Sequence, residues 1–215
     1  MSTLPMDLVD PAIERYLSDL APSDDPVLRE MERLAAERSF PIVGPQVGRL
    51  LYVLAAASGA RRVFELGSGF GYSAYWFARA VGPDGEVVLS ETSAENAALA
   101  ARFLERGGLG ERVRIEVGDG LERIAGETGP FDIVFNDVDK AQYPRVLERA
   151  AAALRPGGLL ISDNMLWRGA VLEPAPSDAA TRGVQELTRR LYAAERFVTA
   201  LLPLRDGVSV SLFRG

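Results

Sequence analysis

From Arg61 onward, short runs of β-branched and apolar residues alternate with helical segments, and this alternation confines the chain to a parallel sheet wrapped by helical crossovers. The runs are "RRVFEL", followed by a helical Gly71 to Val81; "GEVVLS", by Ala94 to Arg106; "RVRIEV", by Leu121 to Ala125; "FDIVFN", by Lys140 to Leu154; and "GGLLIS". After a helical Arg182 to Ala194, "RFVTALLPL" and "VSVSLFRG" are joined by "RDG", which has hairpin chemistry. The expectation is an α/β fold with a mostly parallel sheet of seven strands, the last antiparallel, and helices on both faces. Two amphipathic candidates precede it, Pro11 to Leu20 and Pro26 to Arg38, separated by "APSDDP" with Ser or Asp available as an N-cap. A third helix, Pro45 to Ala57, sets Val47, Leu50, Leu51 and Leu54 on one face for packing against the sheet. At 215 residues this is one domain, with 1–44 as a helical N-terminal extension and 45–215 as the core. "LEPAPSDAAT" reads as a mobile surface loop, and no internal repeat or linker interrupts the pattern.

Chemistry concentrates at two strand ends. "FDIVFNDVDKAQY" closes an apolar run with Asp137, Asp139 and Lys140, and "GGLLIS" stops at Asp163 and Asn164. Neighbouring parallel strands point the same way, so these groups meet at one carboxyl edge, where open α/β sheets bind ligands. Two carboxylates, an amide oxygen and an ammonium suit a hard divalent cation with oxygen ligands, with lysine available as a base. The bland alternatives are local. Asp137 and Asp139 can cap the helix that begins near Lys140, Asp163 and Asn164 can form an ordinary turn, and Lys140 can be a solvated lysine.

The chain contains neither cysteine nor histidine. Disulfides, thiolate metal sites, imidazole ligands and Ser-His-Asp catalysis are therefore excluded, leaving carboxylates, lysine, tyrosine or a cofactor to do the chemistry. A net charge of −6 without a basic cluster argues against general nucleic-acid binding and for a small-molecule substrate. No apolar stretch is long enough to span a bilayer, and "MSTLPMDLVDPAIERYL" lacks a basic region followed by an apolar signal core, so a cytoplasmic location is expected.

The first strand ends in "ELGSGFGYS", with glycines at 67, 69 and 71 before a helix whose first N–H groups are unpaired, an arrangement suited to a nucleotide-like ligand. The dinucleotide fingerprint needs glycine where Tyr72 stands, which counts against a dehydrogenase. Glu91, at the end of the second strand, is placed to hydrogen-bond a ribose diol, and "GDG" at 118–120 follows the third strand, where it can border an adenine ring.

With "ELGSGFGYSA", "FNDVDKAQY" and "ISDNMLWRGAV" in this order, the sequence resembles the class I S-adenosylmethionine-dependent methyltransferases. Within them it is similar to the cation-dependent O-methyltransferases of the caffeoyl-CoA and catechol type, over nearly the whole stretch from "PIVGPQVGRLL" to "LLPLRDGVSVSLF". The resemblance implies a Rossmann-like methyltransferase fold and a homodimer with N-terminal helices near the active site. It implies that Val43, Glu65, Gly67, Gly69, Tyr72, Ser73 and Asp137 contact the donor, that Glu91 holds its ribose, that Asp119 and Gly120 flank its adenine, and that Asp137 acts with Lys140 in catalysis. By the same resemblance, Asp137, Asp163 and Asn164 ligate a divalent cation, Mg²⁺ with Mn²⁺ or Ca²⁺ as substitutes. Lys140 is then the general base, Trp167 lines the acceptor pocket, and Asp206 belongs to a structural turn. Asn136 and Val138 depart from the family's usual residues beside the metal aspartate, and the segment after Val171 is shorter than in the plant enzymes. No glutamate that would ligate a substrate hydroxyl is assignable, so the acceptor pocket has its own character.

The implied reaction is methyl transfer from the sulfonium of S-adenosylmethionine to one hydroxyl of a chelating, catechol-like diol, with positioning as the enzyme's main task. Methylation of a hydroxylated tRNA nucleoside is the alternative, for which Arg33, Arg38 and Arg168 are the residues to inspect. A non-catalytic cofactor-binding dimer module is the third reading.

Overall fold

A computed structural model describes residues 9–20 and 25–215. Three helices, α1 (Pro11–Leu20), α2 (Pro26–Arg38) and α3 (Gly44–Ala57), precede β1 (Arg62–Leu66). Then follow α4 (Tyr72–Ala80), β2 (Glu86–Glu91), α5 (Ala94–Arg106), β3 (Val113–Val117), the short α6 (Gly120–Arg123) and β4 (Phe131–Asn136). The chain continues through α7 (Val146–Ala153), β5 (Leu154–Ser162), α8 (Ala179–Ala193), β6 (Phe197–Leu202) and β7 (Val208–Phe213). Among the described residues the seven strands form one sheet in the order β3-β2-β1-β4-β5-β7-β6. β7 inserts antiparallel between β5 and β6, and the other neighbouring pairs are parallel. This is the expected Rossmann-like architecture.

The strand order matters most for the site. β1 has β2 on one side and β4 on the other, so the chain reverses direction across the sheet at β1 and opens a crevice at the strand C-termini. β1, β2 and β4 are nearly continuous apolar runs because both faces are covered. One core, on the α3 and α4 face, holds Val63, Phe77, Leu89 and Phe135; the other, under α7 and α8, holds Phe64, Val134, Tyr143 and Leu187. Each such fully buried apolar side chain contributes about 1.5–3 kcal/mol.

The helices follow from local chemistry. Asp25 caps α2 by accepting from the N–H of Val27 at 2.8 Å, and Pro26 opens the helix. The rest of the breaker cluster, residues 21–24, lies outside the described residues. α2 buries Val27, Leu28, Met31 and Ala35 in the core shared with α3 and α4, and Arg106 grips Glu30 with two hydrogen bonds of 2.8 and 2.6 Å. In α3, Val47 and Leu51 are fully buried, and Leu50 and Leu54 pack at the core's edge.

Several boundaries differ from the sequence reading. The single helix expected over Lys140 to Leu154 is instead a 3₁₀ segment, Lys140–Arg145, followed by α7, because Pro144 has no N–H to continue an α-helical ladder. Asp178 starts α8 at Ala179, earlier than expected, by accepting from the N–H of Thr181 at 2.7 Å. The stretch read as a loop after Val171 therefore ends inside a helix, and its backbone is tied down. Gln185 donates to the carbonyls of Val171 and Glu173 at 3.0 and 2.7 Å, and Arg182 donates to that of Pro176 at 3.1 Å.

α8 packs closely against the 3₁₀ segment that carries Lys140, and a Cβ at Gly183 would run into the Lys140 carbonyl. Gly183→Ala is therefore expected to lower stability by about 1–3 kcal/mol through overpacking. The check is a lower midpoint in urea unfolding with an unchanged slope.

Candidate active site

A cavity of about 800 Å³ lies at the carboxyl edge of β1, β2, β4 and β5. One end is built on the turn after β1. Gly67 has φ +77 and packs so tightly that a Cβ would sit 2.9 Å from the Asp137 carbonyl oxygen; Gly69 has φ +57, and a Cβ there would sit 2.8 Å from the Phe40 ring. Only glycine meets both demands without strain or displacement. α4 then begins without a side-chain cap, leaving the N–H groups of its first turn open beside Tyr72 and Ser73.

Of the residues assigned to the donor from sequence, Val43, Gly67, Gly69, Tyr72, Ser73, Glu91, Asp119, Gly120 and Asp137 line this cavity. Glu65 does not. It is fully buried behind the turn, where its carboxylate accepts hydrogen bonds from Ser73 Oγ and, at 2.8 Å, from Ser68 Oγ, so the two serines present its effect to the cavity. Glu91 Oε2 accepts from the Gly69 N–H at 2.7 Å and its other oxygen from the Ser93 N–H at 2.8 Å, which couples the end of β2 to the glycine turn. Asp119 caps α6 by accepting from the Leu121 N–H at 2.8 Å, so capping and lining fall to one residue. The Tyr72 hydroxyl donates to Glu32 of α2 at 2.7 Å, and burial holds its pKa well above the ordinary phenol value.

At the other end, β4 and β5 are adjacent and in register, Asn136 beside Ser162, so Asp137 and Asp163 emerge from neighbouring strands. The Asp137 N–H donates to the Leu66 carbonyl at 2.9 Å and the Asp163 N–H to that of Asn136 at 3.1 Å, which extends the ladder to both residues. Lys140 Nζ donates to Asp137 Oδ1 at 2.7 Å and to the Val138 carbonyl at 3.3 Å, and it stands 5.4 and 5.8 Å from the ring centres of Tyr143 and Trp167. Asp139 plays the capping role, accepting from the Ala141 N–H at 2.9 Å, which leaves Asp137 to the lysine.

Burial pushes the carboxyl of Asp137 up, opposed by the Lys140 ammonium; burial and then the Asp137 charge push Asp163 up. Asp163 Oδ1 is buried without a hydrogen-bond partner among the described residues. A bare carboxylate oxygen beside a second carboxylate, with the amide oxygen of Asn164 as a third hard donor, is a donor set that a divalent cation would accept. The residues therefore fit a divalent ion, although among the described residues no group of three or more carboxylate, imidazole or thiolate side chains suited to a metal occurs. Asn164, with φ +55, donates from its amide nitrogen to Asp206 Oδ2 at 3.4 Å.

Phe40, Pro41, Ile42, Ser68, Ser90, Gln142 and Asp206 also line the cavity without having been assigned to a ligand contact from sequence, and Arg168, named there for a tRNA acceptor, lines it too. Ser90 has a local clue in its position just before Glu91. Its hydroxyl donates to the Glu65 carbonyl at 2.7 Å and accepts from the Gly67 N–H at 3.3 Å. A second cavity of about 900 Å³ shares the wall formed by Phe40, Pro41, Ile42, Asn164, Arg168 and Asp206 and reaches Glu14, Glu32 and Arg205.

The family described as O-methyltransferase matches residues 18–213. A catechol O-methyltransferase of Niastella koreensis is 34% identical, over 94% of this chain and 97% of its own. Another, from Mycobacterium tuberculosis, is 36% identical over 81% and 82%. Among solved structures, the O-methyltransferase TomG of Streptomyces achromogenes, in complex with S-adenosylmethionine and involved in tomaymycin synthesis, superposes with a TM-score of 0.87 at 31% identity, covering 95% of this chain and 96% of that one.

Desolvation pushes the Glu65 carboxyl up to about 8, with Asp137 and Glu91 adding to the rise and the two serine hydrogen bonds opposing it. A carboxyl whose folded pKa exceeds its unfolded value stabilises fully below about 4.5 and loses that contribution as pH rises through about 8. The stability of Glu65→Gln relative to the wild type is therefore expected to rise between pH 5 and pH 9, read from urea midpoints across that range. A pH-independent difference would remove the inference.

Proposed function

The chain belongs to the O-methyltransferase family and uses S-adenosylmethionine as methyl donor, and we propose that its acceptor is a small catechol-like diol bound with the help of a divalent cation. The observation that carries this reading is the bare, buried Asp163 Oδ1 beside Asp137 at the ends of adjacent strands, with Lys140 bonded to Asp137 in the same cavity. The names of the Niastella and mycobacterial relatives favour the same acceptor class.

In this reading the donor occupies the glycine-turn end. Backbone at Gly67 and Gly69 approaches its methionine portion together with Val43, Tyr72 and Ser73, Glu91 receives its ribose hydroxyls, and Asp119 with Gly120 borders its adenine. Glu65 acts from behind by fixing Ser68 and Ser73. Asp137, Asp163 and Asn164 would hold the cation, Mg²⁺ by the hardness of the donor set with Mn²⁺ or Ca²⁺ as substitutes, and when bound it would supply positive charge that favours an ionised acceptor hydroxyl. Asp137 holds Lys140 Nζ at 2.7 Å, and as the neutral amine, its ammonium proton released to bulk water, this nitrogen would receive the proton of the acceptor hydroxyl. Trp167 and Tyr143 flank the lysine with apolar surface, Trp167 lines the acceptor side, and Tyr143 anchors the β5 end by donating from its hydroxyl to the Asp163 carbonyl at 2.7 Å. Alignment of the acceptor oxygen with the donor methyl supplies most of the acceleration.

A tRNA acceptor is less well supported. Arg33 and Arg38 lie outside the cavity lining and pair on the surface with Glu37 at 2.6 Å and Glu95 at 3.4 Å, and of the three arginines Arg168 alone lines the cavity. Assembly as a homodimer is supported by the apolar side chains that Ile13, Tyr16 and Leu20 of α1 and Val53 of α3 leave exposed. No helix among the described residues is long and apolar enough to cross a membrane.

Mass spectrometry of methylated products from a panel of vicinal and isolated phenols, with and without EDTA, tests the reading. Methylation confined to vicinal diols and abolished by EDTA is expected. Asp137→Ala should lower kcat/KM by about two orders of magnitude or more. Undiminished, chelator-resistant turnover by that variant would refute the cation-assisted mechanism.

A further inference from the structure

We propose that Arg205 is a positioning residue for the methyl donor, clamping the wall segment 40–43 from the tip of the β6–β7 hairpin. This inference rests on the reading that the glycine-turn end of the cavity receives the donor. Arg205 Nη1 donates to the Ile42 carbonyl at 3.2 Å and to the Val43 carbonyl at 2.6 Å. Both residues line the cavity, and Phe40, at the start of the same segment, rests on Gly69 of the turn. The guanidinium occupies the space that a Cβ at Gly44 would need, and Gly44 itself has φ +76, so two features of the backbone accommodate this one side chain.

The arrangement is not a device for holding the helix or the turn together. A cation beside the N-terminus of α3, which has no side-chain cap, opposes the helix dipole. Arg205 also has φ +50, a conformation glycine adopts at lower cost. Both features work against local stability. What they accomplish is a connection across the cavity, because the same turn also holds the acceptor side. Asp206 Oδ1 accepts from the Arg168 N–H at 2.5 Å, the Asp206 carbonyl from the Leu166 N–H at 2.8 Å, and the Gly207 carbonyl from the Met165 N–H at 2.9 Å. Residues 205–207 thus fix the donor wall relative to the acceptor wall, although 162 residues separate Arg205 from Val43. Loss of the clamp frees segment 40–43 and weakens donor binding while the Lys140–Asp137 pair stays in place, and Arg205→Lys keeps the positive charge that Arg205 sets near Asp163.

The test compares Arg205→Gly, which suits the backbone and deletes the clamp, with Arg205→Lys. Affinity for S-adenosylhomocysteine is measured by calorimetry, kcat and both KM values on a catechol acceptor by steady-state kinetics, and the melting temperature by calorimetry. For Arg205→Gly the expected result is a melting temperature within about 4 °C of the wild type. With it go an S-adenosylhomocysteine Kd and a donor KM raised about tenfold, and a kcat at saturating donor within about twofold. Arg205→Lys should recover part of the loss. Gly44→Ala should weaken donor binding in the wild type more than in the Arg205→Gly background, where the guanidinium is gone. An unchanged Kd in Arg205→Gly overturns the proposal, as does a parallel loss of melting temperature and of affinity for both substrates, or an equal effect of Gly44→Ala in the two backgrounds. Failure of the wild type to bind S-adenosylhomocysteine would instead remove the donor-site reading, so the two failures are distinguishable.

Discussion

Two carboxylates at the ends of adjacent parallel strands repel each other in a poorly solvated crevice, and much of the site is arranged around that repulsion. Asp137 and Asp163 are brought together by the pairing of β4 with β5, which the core under α7 and α8 enforces through Phe131, Val134, Leu154 and Leu160. The Lys140 ammonium offsets one charge, and Tyr143 secures the backbone from which the other projects. The remaining imbalance is what a bound positive charge would offset. In the proposed reaction the cation and the sulfonium donor would both do so.

Around this charged floor, the walls come from parts of the chain far apart in sequence. α2 and its cap are attached to α4 and α5 by polar links at the margin of the buried face, Tyr72 to Glu32, Tyr75 to Asp25 and Arg106 to Glu30, while the apolar face joins the main core. The segment it leads into, 40–43, forms the wall against the glycine turn. The β6–β7 turn closes the opposite side through Asp206 and Gly207 and reaches back to that wall through Arg205. The antiparallel insertion of β7 between β5 and β6 is what carries the turn to the ends of the parallel strands. The last strand therefore completes the site as well as the sheet.

Much of this was legible in advance. The strand runs, the glycine turn and the acidic strand ends all stand where local patterning put them, and α5 begins and ends at the expected residues. The errors have local causes too. Pro144 converts the first turns after Lys140 into a 3₁₀ segment, and Asp178 starts α8 inside a stretch that its composition marked as loop. Other features had no local signal. Glu65 looks like a cavity residue from its position beside the glycines, yet it faces inward, because residues alternate sides along β1 and its carboxylate is bonded by Ser68 and Ser73. Asp206 and Arg205 sit in a turn whose sequence speaks only of a hairpin, and nothing near them names Asn164 or Val43 as partners.

The sequence by itself determined the class of fold and the identity of the chemically useful groups. Periodicity, turn residues and the absence of histidine and cysteine are properties of short stretches and of composition. Tertiary structure alone decided which of those groups share one space. It set β4 beside β5, turned Glu65 away from the cavity, left Asp163 Oδ1 bare and brought Arg205 to the wall at 42–43. The physical reason is that a charge's environment depends on neighbours contributed by distant elements. Their distances follow from how whole helices and strands pack, and no window of sequence contains that information.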